Sequence, residues 1–141
     1  MRYTDDELDR IYSRTRGKCH ICHGQLARIN YGLGQAKGTW EVEHSVPRSK
    51  GGADHLNNLF PAHITCNRDK SNRTTRTARR WNGKTRAPLS PEKYAKARVE
   101  NTALGTAIGI ITGLALGPGA WILCGLAGAC IGHDLNPDKT G

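Results

Sequence analysis

Apolar positions near the N-terminus recur at helical spacing. Leu8 and Ile11 follow a run that begins at Thr4 and ends at Glu7. A Thr and a Glu three residues apart form a capping box, in which each side chain bonds the other residue's backbone N–H at a helix start. The pattern therefore predicts an amphipathic helix over 5–15.

The middle of the chain alternates between apolar and polar residues over short stretches. Partial alternation over 39–46 predicts a β-strand, and 58–61 predicts a second, shorter strand. The polar segment 47–57 between them contains two adjacent glycines and is expected to be a loop. One helix is predicted from residue 63 to about residue 77. A Ser-Pro pair, which is typical of a helix start, predicts another helix over 91–100.

The last third of the chain has a different composition. No charged residue occurs over 103–132, and glycine recurs there at every fourth position at first. Glycines at this spacing share one face of a helix and allow close approach of a second helix. We expect two short apolar helices, 102–116 and 120–131, packed as a hairpin around a Gly-Pro-Gly turn at 117–119.

Composition and charge indicate two domains and a polyanionic partner. The 141 residues carry a net charge of +9, and the stretch 68–98 holds eleven Lys/Arg against two Asp/Glu. Such a stretch favours nucleic acid as the partner, with an anionic membrane second. We assign 1–98, including this basic extension, to one domain and 99–141 to the glycine-rich hairpin. The composition excludes a large multidomain enzyme, a collagen-like chain and a long coiled coil.

Four candidate zinc ligands stand in two pairs, each pair with two intervening residues. They are Cys19, Cys22, His63 and Cys66. Three thiolates and one imidazole suit a tetrahedral structural zinc site with no open position. His20 and His23 are rival ligands that we expect to flank the site. Cys124 and Cys130 are expected to be buried thiols in the apolar tail.

A second pattern runs through the same region. It consists of Glu43-His44, then Pro47, Ser49 and Gly51-Gly52, then Asn58-Leu59, then Cys66-Asn67 and Lys70. In its order and spacing this pattern resembles the HNH endonuclease family of ββα-metal nucleases, over about 19–70. His44, Asn58 and Asn67 fall on the three motif positions, whereas Glu43 replaces an Asp and His63 replaces a Cys of many members.

The resemblance implies an α+β fold, in which a small zinc-stabilised ββα-metal (HNH) nuclease domain precedes an apolar glycine-zipper hairpin. It also implies hydrolysis of phosphodiester bonds. A neutral imidazole titrates near neutrality, so His44 is the expected general base. One Mg²⁺ or Mn²⁺ ion is expected on oxygens of Glu43 and Asn67. Asn58 is expected to brace the loop and orient His44.

Double-stranded DNA is the expected substrate. Arg68 and Lys70 are expected to contact phosphate. Four further arginines share one helical face if the helix from residue 63 continues, and they are predicted to follow the phosphates of one strand. These are Arg73, Arg76, Arg79 and Arg80. His55, which follows Asp54 in the loop, is a rival base outside the motif register.

Two alternatives remain open at this point. The chain could be a non-catalytic zinc-knuckle module that binds nucleic acid. The segment 103–132 could contact a membrane, mediate self-association or packing, or deliver a toxin. The first ten residues are polar and contain no apolar signal segment, so a cytoplasmic location is expected, with membrane association through the hairpin as the variant.

Overall fold

The chain forms two compact units. The computed structural model describes residues 3–34, 36–116 and 120–138, and the units are Met1–Pro91 and Glu92–Gly141. We call the first the α+β unit and the second the helical unit. The α+β class predicted from sequence is confirmed. The predicted turn at 117–119 lies outside the described residues.

The α+β unit is built from short elements. It contains helix α1 (Asp5–Ser13), strands β1 (Trp40–His44) and β2 (Leu59–His63), and helices α2 (Ile64–Lys70) and α3 (Thr75–Trp81). Single 3₁₀ turns occur at Arg28–Asn30, Arg48–Lys50 and Leu56–Asn58. The strands pair antiparallel, with Glu43 opposite Phe60 and His44 opposite Leu59.

Helix α1 begins at the predicted capping box. The Glu7 N–H donates to the Thr4 hydroxyl, and the Thr4 N–H donates to Glu7 Oε2 at 2.8 Å. Leu8 and Ile11 are both buried and fix the helix against the core. The helix ends at Ser13, two residues before the predicted end.

The core of the α+β unit is centred on Trp40. This side chain is fully buried, and its ring lies 5.4 Å from that of Tyr12 and 4.9 Å from that of Tyr31. The other members of this buried cluster are Leu8, Ile11, Cys19, Ile21, Leu26, Leu59, Ala62 and Ala78. A core of this size contributes little stability by itself, so additional cross-links are expected.

The single helix predicted over 63–77 is wrong. Strand β2 extends to His63, α2 ends at Lys70, and Ser71 has a positive φ of 51° that a continuing helix does not allow. The chain then turns so that the Thr75 N–H donates to Ser45 O at 3.1 Å, where α3 begins. This tertiary contact overrides the local helical pattern.

The helical unit consists of α4 (Pro91–Leu116) and α5 (Ala120–Asp134). The two predicted helices 91–100 and 102–116 are one helix, because no proline interrupts the run after Pro91. The predicted hairpin packing is present. A Cβ added at Gly105 would lie 2.1 Å from Gly128 O, and one at Gly132 would lie 2.2 Å from Asn101 O. The contacts run in opposite sequence order, so the helices are antiparallel.

Candidate metal centre and hydrolytic site

The four predicted zinc ligands converge. The ligand atoms of Cys19, Cys22, His63 and Cys66 all lie within 4.8 Å of one another. A tetrahedral zinc ion with bonds of about 2.0–2.3 Å places its ligands roughly 3.5 Å apart, so the spacing and the donor set fit zinc. The expectation that His20 and His23 flank the site is confirmed, because neither belongs to the cluster.

A tight knuckle presents the first ligand pair. The Cys19 N–H donates to Gly24 O at 2.8 Å, which closes a turn in which His23 has a φ of 66°. Backbone amides also point at sulfur, with Ile21 N 3.4 Å from Cys19 Sγ. Gly24 is required here, because an added Cβ would lie 2.9 Å from His63 Cε1.

The second pair comes from the corner where β2 becomes α2. His63 is the last residue of β2 and Cys66 lies in the first turn of α2. Hydrogen bonds to Cys19 raise the pKa of His63 to about 10 and raise the pKa of the Cys66 thiol, whereas hydrogen bonding to Cys19 lowers the pKa of Cys22. Without a metal, the Cys and His side chains of this cluster therefore share protons through hydrogen bonds. A bound cation would displace those protons, so that all four side chains act as ligands.

The loop between the strands carries the candidate general base. His44 ends β1, and its Nε2 lies 2.5 Å from Asp54 Oδ1. Arg48 also binds Asp54, through Nε at 3.0 Å to Oδ1 and through Nη2 to Oδ2. The Arg48 guanidinium, and then His44, lower the pKa of Asp54 to about 2. Asp54 is therefore a carboxylate at neutral pH.

Asn58 ties this loop together. Its Oδ1 accepts from Val46 N at 2.7 Å, and its Nδ2 donates to Val46 O and to Ala53 O, each at 3.0 Å. Gly52 makes the arrangement possible, because an added Cβ would lie 1.8 Å from Val46 O. Asn58 thus fixes both arms of the loop between His44 and Asp54.

Glu43 occupies the other face of β1, since neighbouring strand residues point to opposite faces. Its side chain has no exposed surface. Oε1 accepts from His20 Nδ1 at 2.8 Å and from the Thr75 hydroxyl at 2.7 Å, and Oε2 lies 3.4 Å from Lys70 Nζ. Arg79 Nη1 lies 3.2 Å from His20 Nε2. We call Glu43, His20, Thr75, Lys70 and Arg79 the buried polar network.

This network does not fit the cation site expected on Glu43. A hydrated Mg²⁺ ion needs oxygen ligands and room for several waters, whereas the Glu43 carboxylate is sealed from solvent and already faces the Lys70 ammonium. Asn67 has a separate partner, because its Nδ2 donates to Glu41 Oε1 at 2.9 Å. His44, Glu43 and Asn67 therefore each have different partners.

The predicted basic surface divides into exposed and buried members. Arg68, Arg73, Arg76 and Arg80 are exposed. The prediction that Lys70 contacts phosphate is wrong in this fold, because Lys70 is buried against Glu43. Arg79 is half-buried beside His20, so the four arginines do not share one continuous helical face.

Sequence reasoning missed three polar contributors. The motif pattern assigns no role to Asp54 or Arg48, and it gives His20 only as a rival zinc ligand that flanks the site. A histidine inside a Cys-x-x-Cys pair and a carboxylate in a Gly-Gly loop were the available signals. Cys130 is exposed and not buried as expected, whereas Cys124 is half-buried.

Comparison with known proteins gives one result. The family model described as HNH endonuclease matches residues 19–73. A search of the curated proteins found no match, and a search of the solved structures also found none. The matched segment contains all four members of the Cys/His cluster, both strands and α2. The resemblance to the HNH endonuclease family predicted from the sequence is therefore confirmed over residues 19–73.

Proposed function

We infer that the α+β unit hydrolyses DNA phosphodiester bonds, with His44 as the general base. The observation that carries this proposal is the 2.5 Å contact between His44 Nε2 and Asp54 Oδ1, inside the segment matched by the nuclease family model. A base oriented by a carboxylate is the arrangement that hydrolytic sites use to hold an imidazole in one tautomer.

The proton transfer follows from this contact. The Asp54 carboxylate accepts a hydrogen bond from the protonated Nε2 of His44, which leaves the lone pair on Nδ1. Nδ1 takes a proton from a water molecule as that water attacks phosphorus. A bond forms between the water oxygen and phosphorus, the bond from phosphorus to the 3′ oxygen breaks, and the departing oxygen takes a proton from solvent.

The loop and the Cys/His cluster hold this geometry. The three hydrogen bonds of Asn58 fix the backbone between His44 and Asp54. Zinc on the Cys/His cluster would hold the knuckle to the corner between β2 and α2, where it supplies stability and leaves no position for substrate. The family implies a divalent cation as well, and no step here passes through one.

DNA binding is assigned to exposed arginines at the end of the matched segment and in α3. Arg68, Arg73, Arg76 and Arg80 are the exposed members of the predicted set. The Arg73 guanidinium lies 4.7 Å from the Trp81 ring centre, so the two side chains support each other at the surface. Contacts of this kind neutralise phosphates without reading sequence, and the binding weakens with salt.

A plasmid-cleavage assay tests the proposal. Wild type, His44→Ala and His55→Ala are compared with Mg²⁺, with Mn²⁺ and with EDTA, and zinc content is measured for each. His55 is the matched control, because it lies in the same loop and its Nδ1 only accepts from Asn57 N. We expect His44→Ala to lose about 10²–10⁴-fold in rate and His55→Ala to retain wild-type cleavage.

Two outcomes would overturn the assignment. Equal cleavage by wild type and His44→Ala would remove His44 as the base. DNA binding by a zinc-loaded wild type that cleaves under none of the three conditions would instead establish a non-catalytic nucleic-acid-binding module.

A further inference from the structure

The helical unit is held together by backbone contact between glycines. Cβ atoms added at Gly105 and Gly128 would each lie 2.1 Å from the other residue's carbonyl oxygen, and one at Gly109 would lie 2.0 Å from Cys124 O. The buried residues of α4 are glycines, Gly109 and Gly113. The helices therefore approach more closely than side chains of ordinary size permit.

The large apolar side chains of this unit lie on the outside. Leu104 is 61% exposed, Ile111 is 68% exposed and Leu123 is 72% exposed. The same holds for Ile108, Leu114, Leu116, Ile122, Leu126, Ile131 and Leu135. No charged residue interrupts 103–132. An exposed apolar surface of this extent marks a contact with a partner or a membrane.

Charge is confined to one end of the helix pair. Lys96 and Glu100 form an ion pair near the start of α4, and Arg98 Nη2 lies 3.0 Å from His133 Nδ1 near the end of α5. Because the helices are antiparallel, the first turns of α4 and the last turn of α5 lie side by side. The opposite end of the pair has only apolar and small residues in its described part.

We propose that the helical unit inserts into a lipid bilayer as a hairpin, with the charged ends of α4 and α5 on the same side of the membrane. By length and composition α4 is able to cross a membrane. Its uncharged part, 101–116, is about 24 Å long at 1.5 Å per residue. That is a few ångströms less than the roughly 30 Å hydrocarbon core, a difference that local thinning of the bilayer accommodates.

The distribution of apolar residues favours lipid over a second copy of the chain. A dimer interface would need one apolar stripe and would leave polar residues elsewhere on the surface. Here the residues described as exposed over 103–116 and 122–132 are apolar apart from Thr112, and they lie around the pair rather than along one stripe. The charged end holds Lys93, Lys96 and Arg98 against Glu92, Glu100 and Asp134, so it suits a polar headgroup layer. Between its first and last turns, each helix bonds its own backbone groups internally, as a hydrocarbon environment demands.

Vesicle flotation tests the proposal with the full chain. The vesicles contain phosphatidylcholine and phosphatidylglycerol at three to one, and the protein is added from outside. We expect wild type to float with the vesicles and to stay bound in high salt. A triple variant, Leu104→Asp, Ile111→Asp and Leu123→Asp, is expected to float at least tenfold less, because it places charge on the outer surface.

A matched control keeps the change of net charge constant. Ser13→Asp, Thr85→Asp and Ala87→Asp add the same charge at exposed positions of the α+β unit, and this variant is expected to float like wild type. Zinc content and circular dichroism confirm that both variants fold. Wild type that remains at the bottom, or a triple variant that floats as well as wild type, would overturn the proposal. Wild type could also fail to float and yet self-associate without vesicles. If the triple variant abolishes that self-association, the apolar surface binds a second copy of the chain and not a membrane.

Proteinase K added outside the vesicles tests the hairpin topology. Both charged ends are on the accessible side, so one protected fragment containing both helices is expected by mass spectrometry. Fragments that contain only one helix would contradict the hairpin. Neither measurement depends on DNA cleavage, so the result stands apart from the proposed hydrolysis.

Discussion

The two units of this chain place large and small side chains in opposite positions. In the α+β unit the tryptophan at the centre of the core, Trp40, has no exposed surface. In the helical unit the buried positions of α4 are Gly109 and Gly113, and leucines and isoleucines cover the outside. Water stabilises the first arrangement through the hydrophobic effect, whereas the second exposes the surface that the hydrophobic effect would bury. The two units are therefore suited to different surroundings.

The two units also differ in the interactions that stabilise them. The α+β unit has a small core and adds a Cys/His cluster and the buried polar network. Each of these depends on a few specific side chains. The helical unit depends instead on the absence of side chains along one face. Perturbations should therefore affect one unit at a time.

Loss of the Cys/His cluster is expected to have the largest effect. Cys22→Ser, or a strong chelator, should unfold the α+β unit, because structural zinc supplies about 10–16 kcal/mol in small zinc domains. Near-ultraviolet circular dichroism should lose the contribution of Trp40 and its tyrosine neighbours, while the helical signal of α4 and α5 remains. Cys130→Ser is the control and should change neither signal. Unchanged melting of the α+β unit after complete zinc removal would show that the cluster is not a structural metal site.

Removal of the Glu43 charge is expected to come next. Glu43→Gln leaves the Lys70 ammonium buried without its partner, which costs about 3–5 kcal/mol in buried ion pairs. Denaturant unfolding of the zinc-loaded protein measures this loss, and Mg²⁺ should not change it. Glu41→Gln is the control, because Glu41 is partly exposed and accepts a hydrogen bond from Asn67 Nδ2. A loss of stability that appears only when Mg²⁺ is present would indicate that Glu43 binds the cation.

A glycine substitution tests the helical unit by itself. Gly109→Leu inserts a side chain where Cys124 O leaves no space, and overpacking of this kind costs about 1–3 kcal/mol. Thermal unfolding of the helical signal should shift down, while the cleavage rate and zinc content remain constant. Ala107→Leu on the exposed face of α4 is the matched control. Equal melting of the two variants would contradict close packing between the helices.

The smallest expected effect concerns Asp54. Its pKa is lowered to about 2, first by Arg48 and then by His44. A carboxyl with a lowered pKa in the fold stabilises the protein above its unfolded pKa, and this contribution is lost as the pH falls through about 2. Carboxyl-carbon NMR should show Asp54 ionised at pH 3. Arg48→Ala should move its titration toward the ordinary value, and Lys50→Ala on the same turn should not. If Asp54 of the wild type titrates at the ordinary pKa of an aspartate, its contacts with Arg48 and His44 do not form in solution.

Local and chemically specific patterns were predictable from the sequence. The capping box at Thr4, the two Cys/His pairs and the glycine spacing each depend on residues that are close in sequence or on a donor set with few uses. The positions of β1 and β2 followed from alternation, with errors of one to two residues at their ends.

The missing parts depend on contacts between distant segments. The contact of His44 with Asp54 requires a loop path that Asn58 and Gly52 create. The burial of Lys70 requires α2 to cover the Glu43 face of β1, and a run of basic residues gives no sign of this. The end of α2 at Ser71 likewise follows from the contact that Thr75 makes with Ser45. None of these contacts has a local sequence signal.

Chemical rescue is the most direct test of the central claim, that the imidazole of His44 removes the proton of the attacking water. Single-turnover cleavage of a DNA duplex is followed for wild type and for zinc-loaded His44→Gly, with and without added imidazole. We expect the cleavage rate of His44→Gly to be at least a hundredfold below that of wild type. Added imidazole should restore part of this rate and should not increase the rate of wild type. Cleavage by His44→Gly at the wild-type rate would contradict the claim.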